Sequence, residues 1–221
     1  ATNSFDRDIN DDTDVSIDVT SVYLQDELTL TDYLQVVVGL RYDSFDIKVF
    51  NALADETRSR KDSEVSPRFG VVYKPIDAIS IYASYSESFL PRSGEQFANI
   101  NGSNDELAPN TFGNREVGVK YDFASGLSFT AALFEIEQRS PQVADNDPAT
   151  LDVIESEIDG FELQLQGRVN ALWSVSAGYS SLDGEQVNRQ GRTGLTPREL
   201  PDSMFSIWNQ FTLSEDLSLG L

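Results

Sequence analysis

Ser66–Phe123 decides how the chain is read: SPRFGVVYKP at Ser66–Pro75, ISIYASYSESF at Ile79–Phe89, a long polar excursion, and NREVGVKYDF at Asn114–Phe123. In the second of these, Ile79, Ile81, Ala83 and Tyr85 alternate with Ser80, Ser84 and Ser86. In the third, Val117, Val119, Tyr121 and Phe123 alternate with Glu116, Lys120 and Asp122. Side chains of a strand point to opposite faces in turn, so a period of two puts one face against something apolar and the other against something polar. Whether the apolar face meets a protein core or lipid is the question on which function turns.

Outward from this stretch the same alternation recurs. Gln35–Phe50 carries Val36, Val38, Leu40 and Tyr42 on one face; Leu127–Gln138 aligns Leu127, Phe129, Ala131 and Leu133. Ile158–Val169 sets Phe161, Leu163 and Leu165 against Glu162, Gln164, Gln166 and Arg168, and Trp173–Ser181 aligns Trp173, Val175, Ala177 and Tyr179. Ser203–Leu213 and the segment from Leu217 complete the series. Val15–Leu30 changes phase, from Val15, Ile17 and Val19 to Val22, Leu24, Leu28 and Leu30, which predicts a β-bulge near Thr20–Ser21.

Connections alternate between short turns, near residues 32, 76, 125, 171 and 215, and long polar loops over 51–64, 90–112, 140–152 and 182–201. A sandwich has no reason to gather its long loops at one end, whereas an outer-membrane barrel has short periplasmic turns and long extracellular loops. Tyr33, Tyr73, Tyr121, Phe123, Trp173 and Phe211 flank the short turns, where an interfacial aromatic girdle belongs. The sequence therefore predicts an all-β chain: an antiparallel up-and-down transmembrane β-barrel in part, with about ten strands of a larger barrel. Polar residues inside the strands, among them Arg41, Arg68, Lys74, Lys120 and Arg168, then face a polar lumen.

Composition narrows the function. Sixteen Lys plus Arg against 37 Asp plus Glu give a net charge of −21, which argues against nucleic-acid backbones as partners. Cysteine and histidine are both absent; this removes disulfides, thiolate sites and His-based nucleophilic machinery. Asp6, Asp8 and Asn10 start like an EF-hand, but Asp11 and Ile17 stand where that loop needs Gly and Glu. No apolar run reaches the length of a membrane-spanning helix. Carboxylates are plentiful, yet no pair can be placed in one cleft, and an enzyme is not expected.

Several strings together resemble TonB-dependent outer-membrane receptors of the ferric siderophore branch. They are SPRFGVVYKP, ISIYASYSESFLPRSGEQF (Ile79–Phe97), LAPNTFGNREVGVKYDF (Leu107–Phe123), LSFTAALFEIEQRS (Leu127–Ser140), IDGFELQLQGRV (Ile158–Val169) and LPDSMFSIWNQF (Leu200–Phe211). They follow one another in the family's order, with Asn110 in place of the usual Glu after the loop proline. FLPRSGEQF is most similar to receptors for catecholate siderophores. The resemblance implies that residues 1–221 are part of a C-terminal barrel domain, with the plug domain and first barrel strands lying outside this sequence. It further implies active transport of a ferric siderophore across the outer membrane of a Gram-negative bacterium, energised by the TonB complex through the plug. Outer-membrane lipid and lipopolysaccharide are then neighbours, and nucleic acid is not a partner. Iron arrives already chelated, so no cofactor and no protein metal ligands are expected. Arg92, Gln96, Phe97 and Arg115, at the top of the best-matched loop, are the candidate ligand-binding residues. Two alternatives remain at this stage. A passive porin shares the barrel; a soluble secreted β-sandwich requires Val36, Val38, Phe69, Val71, Leu163 and Val175 to converge on one closed core.

Overall fold

A computed structural model of the chain describes residues 12–91, 108–143, 151–187, 195–197 and 200–221. They form one ten-stranded antiparallel sheet whose spatial order is the chain order. The strands are β1 (Thr13–Thr31), β2 (Leu34–Asn51), β3 (Glu56–Ile76), β4 (Ile79–Leu90), β5 (Asn110–Asp122), β6 (Leu127–Val143), β7 (Leu151–Asn170), β8 (Trp173–Val187), β9 (Ser203–Ser214) and β10 (Leu217–Gly220). Tight turns join β1 to β2, β3 to β4, β5 to β6, β7 to β8 and β9 to β10 at one end of the sheet, as the sequence predicts.

The pairing register shows which residues share a face. One row crosses Val36, Val71, Ala83, Val117, Leu133, Phe161, Ser181 and Ser203. It begins close to the tight turn on β2 and ends at the loop end of β9. The strands therefore lie tilted across the hydrogen-bonding rows, the stagger that a barrel wall requires. The neighbouring row on the same face runs through Leu34, Tyr73, Ile81, Val119, Ala131, Leu163, Tyr179 and Phe205. This apolar face has no second layer. Phe69 is 49% exposed, Val38 39% and Leu163 36%, so the closed core that a soluble sandwich requires does not form. On β2 the apolar face spans residues 34–42, close to the 9–11 residues that a tilted strand needs to cross a bilayer. A face this large and apolar must meet lipid.

At the turn end the girdle aromatics pack on one another. Tyr33 and Tyr73 meet edge to face with centroids 6.0 Å apart, Tyr121 and Phe123 at 4.5 Å, while Trp173 stacks on Phe211 at 6.0 Å. Trp173 Nε1 also donates to Asn209 Oδ1 at 3.0 Å. The tyrosines and Trp173 thus keep an apolar body and a polar tip at one level, which suits an interface between lipid and water.

Two expectations are corrected. The predicted bulge at Thr20–Ser21 is absent: β1 pairs with β2 without a break from Thr13↔Asn51 to Thr29↔Gln35, and the irregularity lies between Thr29 and Thr31. What changes near Ser21 is the environment. Below it Val22, Leu24 and Leu28 share the outer face with Val36, Leu40 and Tyr42; above it Val15, Ile17 and Val19 share the inner face with Phe45, Ile47 and Val49. Ile47 and Val49 are buried there with Phe45 packed against them. Secondly, the strands reach further from the turns than alternation suggests. Residues 56–64, expected in a loop, belong to β3, and β6, β7 and β8 extend likewise. Above the bilayer neither face need be uniformly apolar, so the period-two signal fades while the hydrogen-bond ladder continues.

Opposite each other on the inner face, large and small residues interlock: a Cβ on Gly118 would lie 2.5 Å from the Tyr82 ring, and one on Gly160 2.5 Å from that of Phe134. Gly167 has a stricter requirement. Its φ of 129° and the Gly126 carbonyl oxygen 2.2 Å from a built Cβ leave no room for a side chain. In the full-length protein, Gly167→Ala is expected to cost about 1–3 kcal/mol, lowering the midpoint of thermal unfolding followed by gel mobility. Gly113→Ala, whose Cβ would meet nothing nearer than 4.0 Å, should leave that midpoint within about 0.5 kcal/mol of the parent; equal midpoints for both variants would count against this account of the turn.

Candidate functional site

The inner face holds the polar chemistry. At mid-height Tyr82 donates from its hydroxyl to Glu116 Oε1 at 2.6 Å, spanning neighbouring strands above Gly118. Higher on β2, Asp43 is 3% exposed and is held by Arg41, whose Nε lies 2.8 Å from Asp43 Oδ2 and whose Nη2 lies 2.8 Å from Asp43 Oδ1. The Ser21 hydroxyl donates to the same carboxylate and accepts from Arg41 Nη2 at 3.0 Å. A buried carboxylate without such partners would carry a large desolvation cost, so Arg41, Asp43 and Ser21 fix the wall where β1 meets β2. Above them Arg60 bonds Asp62 at 2.7 Å, beside the apolar patch of Phe45, Ile47 and Val49.

Just below this level the inner wall is hollowed. Tyr23, Gln25, Gly39, Arg41, Ser66, Arg68 and Ser86 line a cavity of about 520 Å³, with Leu24, Leu40, Pro67 and Glu87 completing its boundary. Gly39 is its floor because a Cβ there would face Arg68 Cβ and Gln25 Cγ, each at 3.6 Å. The row Gln25–Gly39–Arg68–Ser86 follows from the pairing of β1 through β4. Neighbouring strands thus bring two guanidinium groups to one concavity.

A larger hollow of about 650 Å³ opens on the other face, with Phe69, Ala83, Tyr85, Arg115, Val117, Leu133, Glu135 and Asp159 among its lining residues. Arg115 belongs here. Register sets it opposite Tyr85 and Glu135 on the face of Val117 and Val119. Its guanidinium pairs with Glu135, reaches Glu137 at 2.8 Å and lies 5.9 Å from the Tyr85 ring centroid. Of the candidate ligand-binding residues, Arg115 is thus turned outward by strand parity, to the edge of the apolar band. Arg92, Gln96 and Phe97 lie outside the described residues.

Around Arg115 the outer wall is acidic. One carboxylate oxygen each of Glu135, Glu157 and Asp159 lies within 4.8 Å of the others. Loss of solvation lifts the Glu157 carboxyl above the usual range, and the negative charges of Asp159, Glu135, Glu137 and Glu185 lift it further. A carboxyl raised in the folded state binds its proton more tightly there than in the unfolded chain. Its stabilisation is complete below the ordinary Glu range, about 4.3, and is lost as pH rises through the raised value. Glu157→Gln should therefore raise the unfolding midpoint of the full-length protein at pH 7 and change it little at pH 4. A gain that persists equally at pH 4 would mean that charge repulsion is not its source.

Sequence reasoning proposed loop-top residues and missed Arg41 and Arg68 as a pair. Both are visible as polar positions within alternating strands, but their adjacency depends on the β2–β3 register.

The whole chain, residues 1–221, matches the family described as TonB dependent receptor-like, beta-barrel. It is 30% identical over 231 residues to a probable TonB-dependent siderophore receptor, PiuA, of Acinetobacter baumannii, covering 95% of this chain and 31% of that protein. It is also 30% identical over 205 residues to the ferrichrome outer membrane transporter/phage receptor of Escherichia coli K12, covering 91% of this chain and 27% of the relative. The crystal structure of PiuA superposes with a TM-score of 0.79, covering 95% of this chain and 33% of that one. The ferric-catecholate import receptor Fiu from E. coli K12 superposes with a TM-score of 0.79 at 19% identity, over 94% of this chain and 34% of that one, which speaks to the fold. The chain thus spans about a third of the length of the relatives it matches.

Proposed function

This chain belongs to the TonB-dependent receptor β-barrel family, and from that premise we propose that the whole protein imports a ferric siderophore across the outer membrane of a Gram-negative bacterium. The observation that carries the reading is the family match over the full chain, together with relatives that are themselves siderophore receptors. The chelate binds at the extracellular mouth, above the bilayer-crossing part of the barrel wall. TonB supplies energy from the inner membrane and the ligand is released inward. The apolar outer face lies in lipid, with its acidic upper rim at headgroup level beside lipopolysaccharide.

The division of labour follows from the two faces. Iron is already saturated by its chelator, so the wall needs complementary charge, hydrogen-bond donors and aromatic surface rather than metal ligands. A rigid hydrogen-bonded wall supplies these groups at fixed positions, and no bond in the cargo is made or broken.

The test is iron uptake. The full-length protein is expressed in a Gram-negative host lacking its own siderophore receptors, grown under iron limitation and supplied with radio-iron loaded on a panel of siderophores. Uptake of at least one ferric siderophore is expected, falling to background when TonB is deleted. Uptake that persists without TonB, with parallel leakage of unrelated small solutes, would instead establish a passive porin.

A further inference from the structure

The outer face carries a feature that neither the cargo nor the hydrogen-bond ladder requires. Above the bilayer, β6, β7 and β8 set carboxylates directly opposite one another in two rows: Glu135, Asp159 and Asp183 in the lower, Glu137, Glu157 and Glu185 in the upper. Like charges placed opposite one another across a ladder are destabilising, and the raised Glu157 carboxyl reports the crowding. Nearby cations are too few to relieve it. Arg115 serves Glu135 and Glu137, while Arg139 serves Glu137 and Glu155. Among the described residues Glu157, Asp159 and Asp183 form no ion pair with Lys or Arg. Strands β3 to β8 each have both of their sheet neighbours in place.

Directly below the lower row lies the outer hollow of about 650 Å³. That volume falls in the range of small-molecule sites, about 300–1,000 Å³. Ala83 gives the depth: register sets this small residue opposite Val71 and Val117, and Phe69 and Leu133 stand around it. Glu135 and Asp159 belong to the same lining, two residues along their strands from Leu133 and Phe161, or about 7 Å. An apolar hollow open to lipid thus ends in uncompensated negative charge at headgroup level. A bare metal ion would answer the charge and leave the hollow unused; a head carrying only phosphate would be repelled. An alkyl chain joined to a cation answers both. From this charge complementarity we propose that the outer hollow docks a membrane lipid whose head ends in a primary ammonium group, with one acyl chain laid over Ala83 and the ammonium donating to Asp159 and its neighbouring carboxylates. A primary ammonium carries three N–H donors and bonds several carboxylates at once, whereas a choline head has charge but no donor. The site rests on this face lying in lipid and is independent of the cargo.

Native mass spectrometry of the purified full-length protein, released from a non-ionic detergent, resolves the first lipid bound and tests the site. Phosphatidylethanolamine, phosphatidylcholine and phosphatidylglycerol with identical acyl chains are titrated separately, first in EDTA and then with Mg²⁺. In EDTA the first phosphatidylethanolamine is expected to bind about 5- to 10-fold more tightly than the first of either other lipid, the worth of one or two exposed ion pairs. The double variant Glu157→Gln with Asp159→Asn should abolish that preference. Ala83→Phe, which fills the hollow, should lower it with both acidic rows intact. Equal binding of the three lipids to the parent overturns the proposal, as does a preference that survives in both variants. Phosphatidylglycerol binding best, and only with Mg²⁺, also overturns it and assigns the carboxylates to a divalent cation instead. None of these outcomes bears on siderophore import, which the uptake experiment tests separately.

Discussion

Backbone hydrogen bonding in lipid is the constraint from which the rest follows. A strand inside a bilayer has no water for its N–H and C=O groups, so every one must find a partner on a neighbouring strand. The consequence here is an unbroken meander in which β1 to β10 pair in chain order. Within it the long register between β1 and β2 runs from Thr13 to Thr29 without interruption. Irregularities gather beside the tight turns, at Thr29/Thr31, Tyr73/Ile76, Arg168/Asn170 and Leu217/Ser218. There the chain leaves the apolar zone and a bulge costs less.

With the ladder fixed, the only freedom left to the sequence is what each face carries at each height. In the zone of β2 residues 34–42 the outer face is apolar and the inner face polar. Above it the roles exchange: Phe45, Ile47 and Val49 turn inward and pack, while Glu135, Glu137, Glu157 and Asp159 turn outward. The level of exchange passes near Ser21 and Asp43 on one side and near Arg115 on the other. Hydrophobic free energy, proportional to the apolar area taken from water, explains both halves. Lipid removes water from the lower outer wall. Above the lipid only the converging inner wall can do so.

The economy of positive charge has the same origin. Acidic groups crowd the upper outer rim, where solvent and headgroups tolerate them. Among the described residues, arginines in the upper strands are bound to carboxylates, as Arg60 is to Asp62 and Arg115 to Glu135 and Glu137. The small-against-large interlock of Gly118 with Tyr82 and Gly160 with Phe134 fills the inner face between neighbouring strands.

The sequence by itself determined the strands, the tight turns and the apolar face, because alternation over residues such as Ile79–Tyr85 and Val117–Tyr121 is a local property set by the pleat. It also carried the family resemblance, in strings such as NREVGVKYDF. The upper parts of β3, β6, β7 and β8 were not legible, since outside lipid the alternation that marks a strand disappears. The apparent phase change in β1 was legible but ambiguous: a bulge and a change of solvent leave the same pattern in Val15–Leu30. Only the tertiary structure decided that Arg115 faces outward and that Arg41 and Arg68 line one hollow beside Gly39. The physical reason is register. A shift of one residue turns every side chain to the opposite face, and register is fixed by cross-strand pairing between residues as distant as Gly39 and Arg68, which no local pattern records.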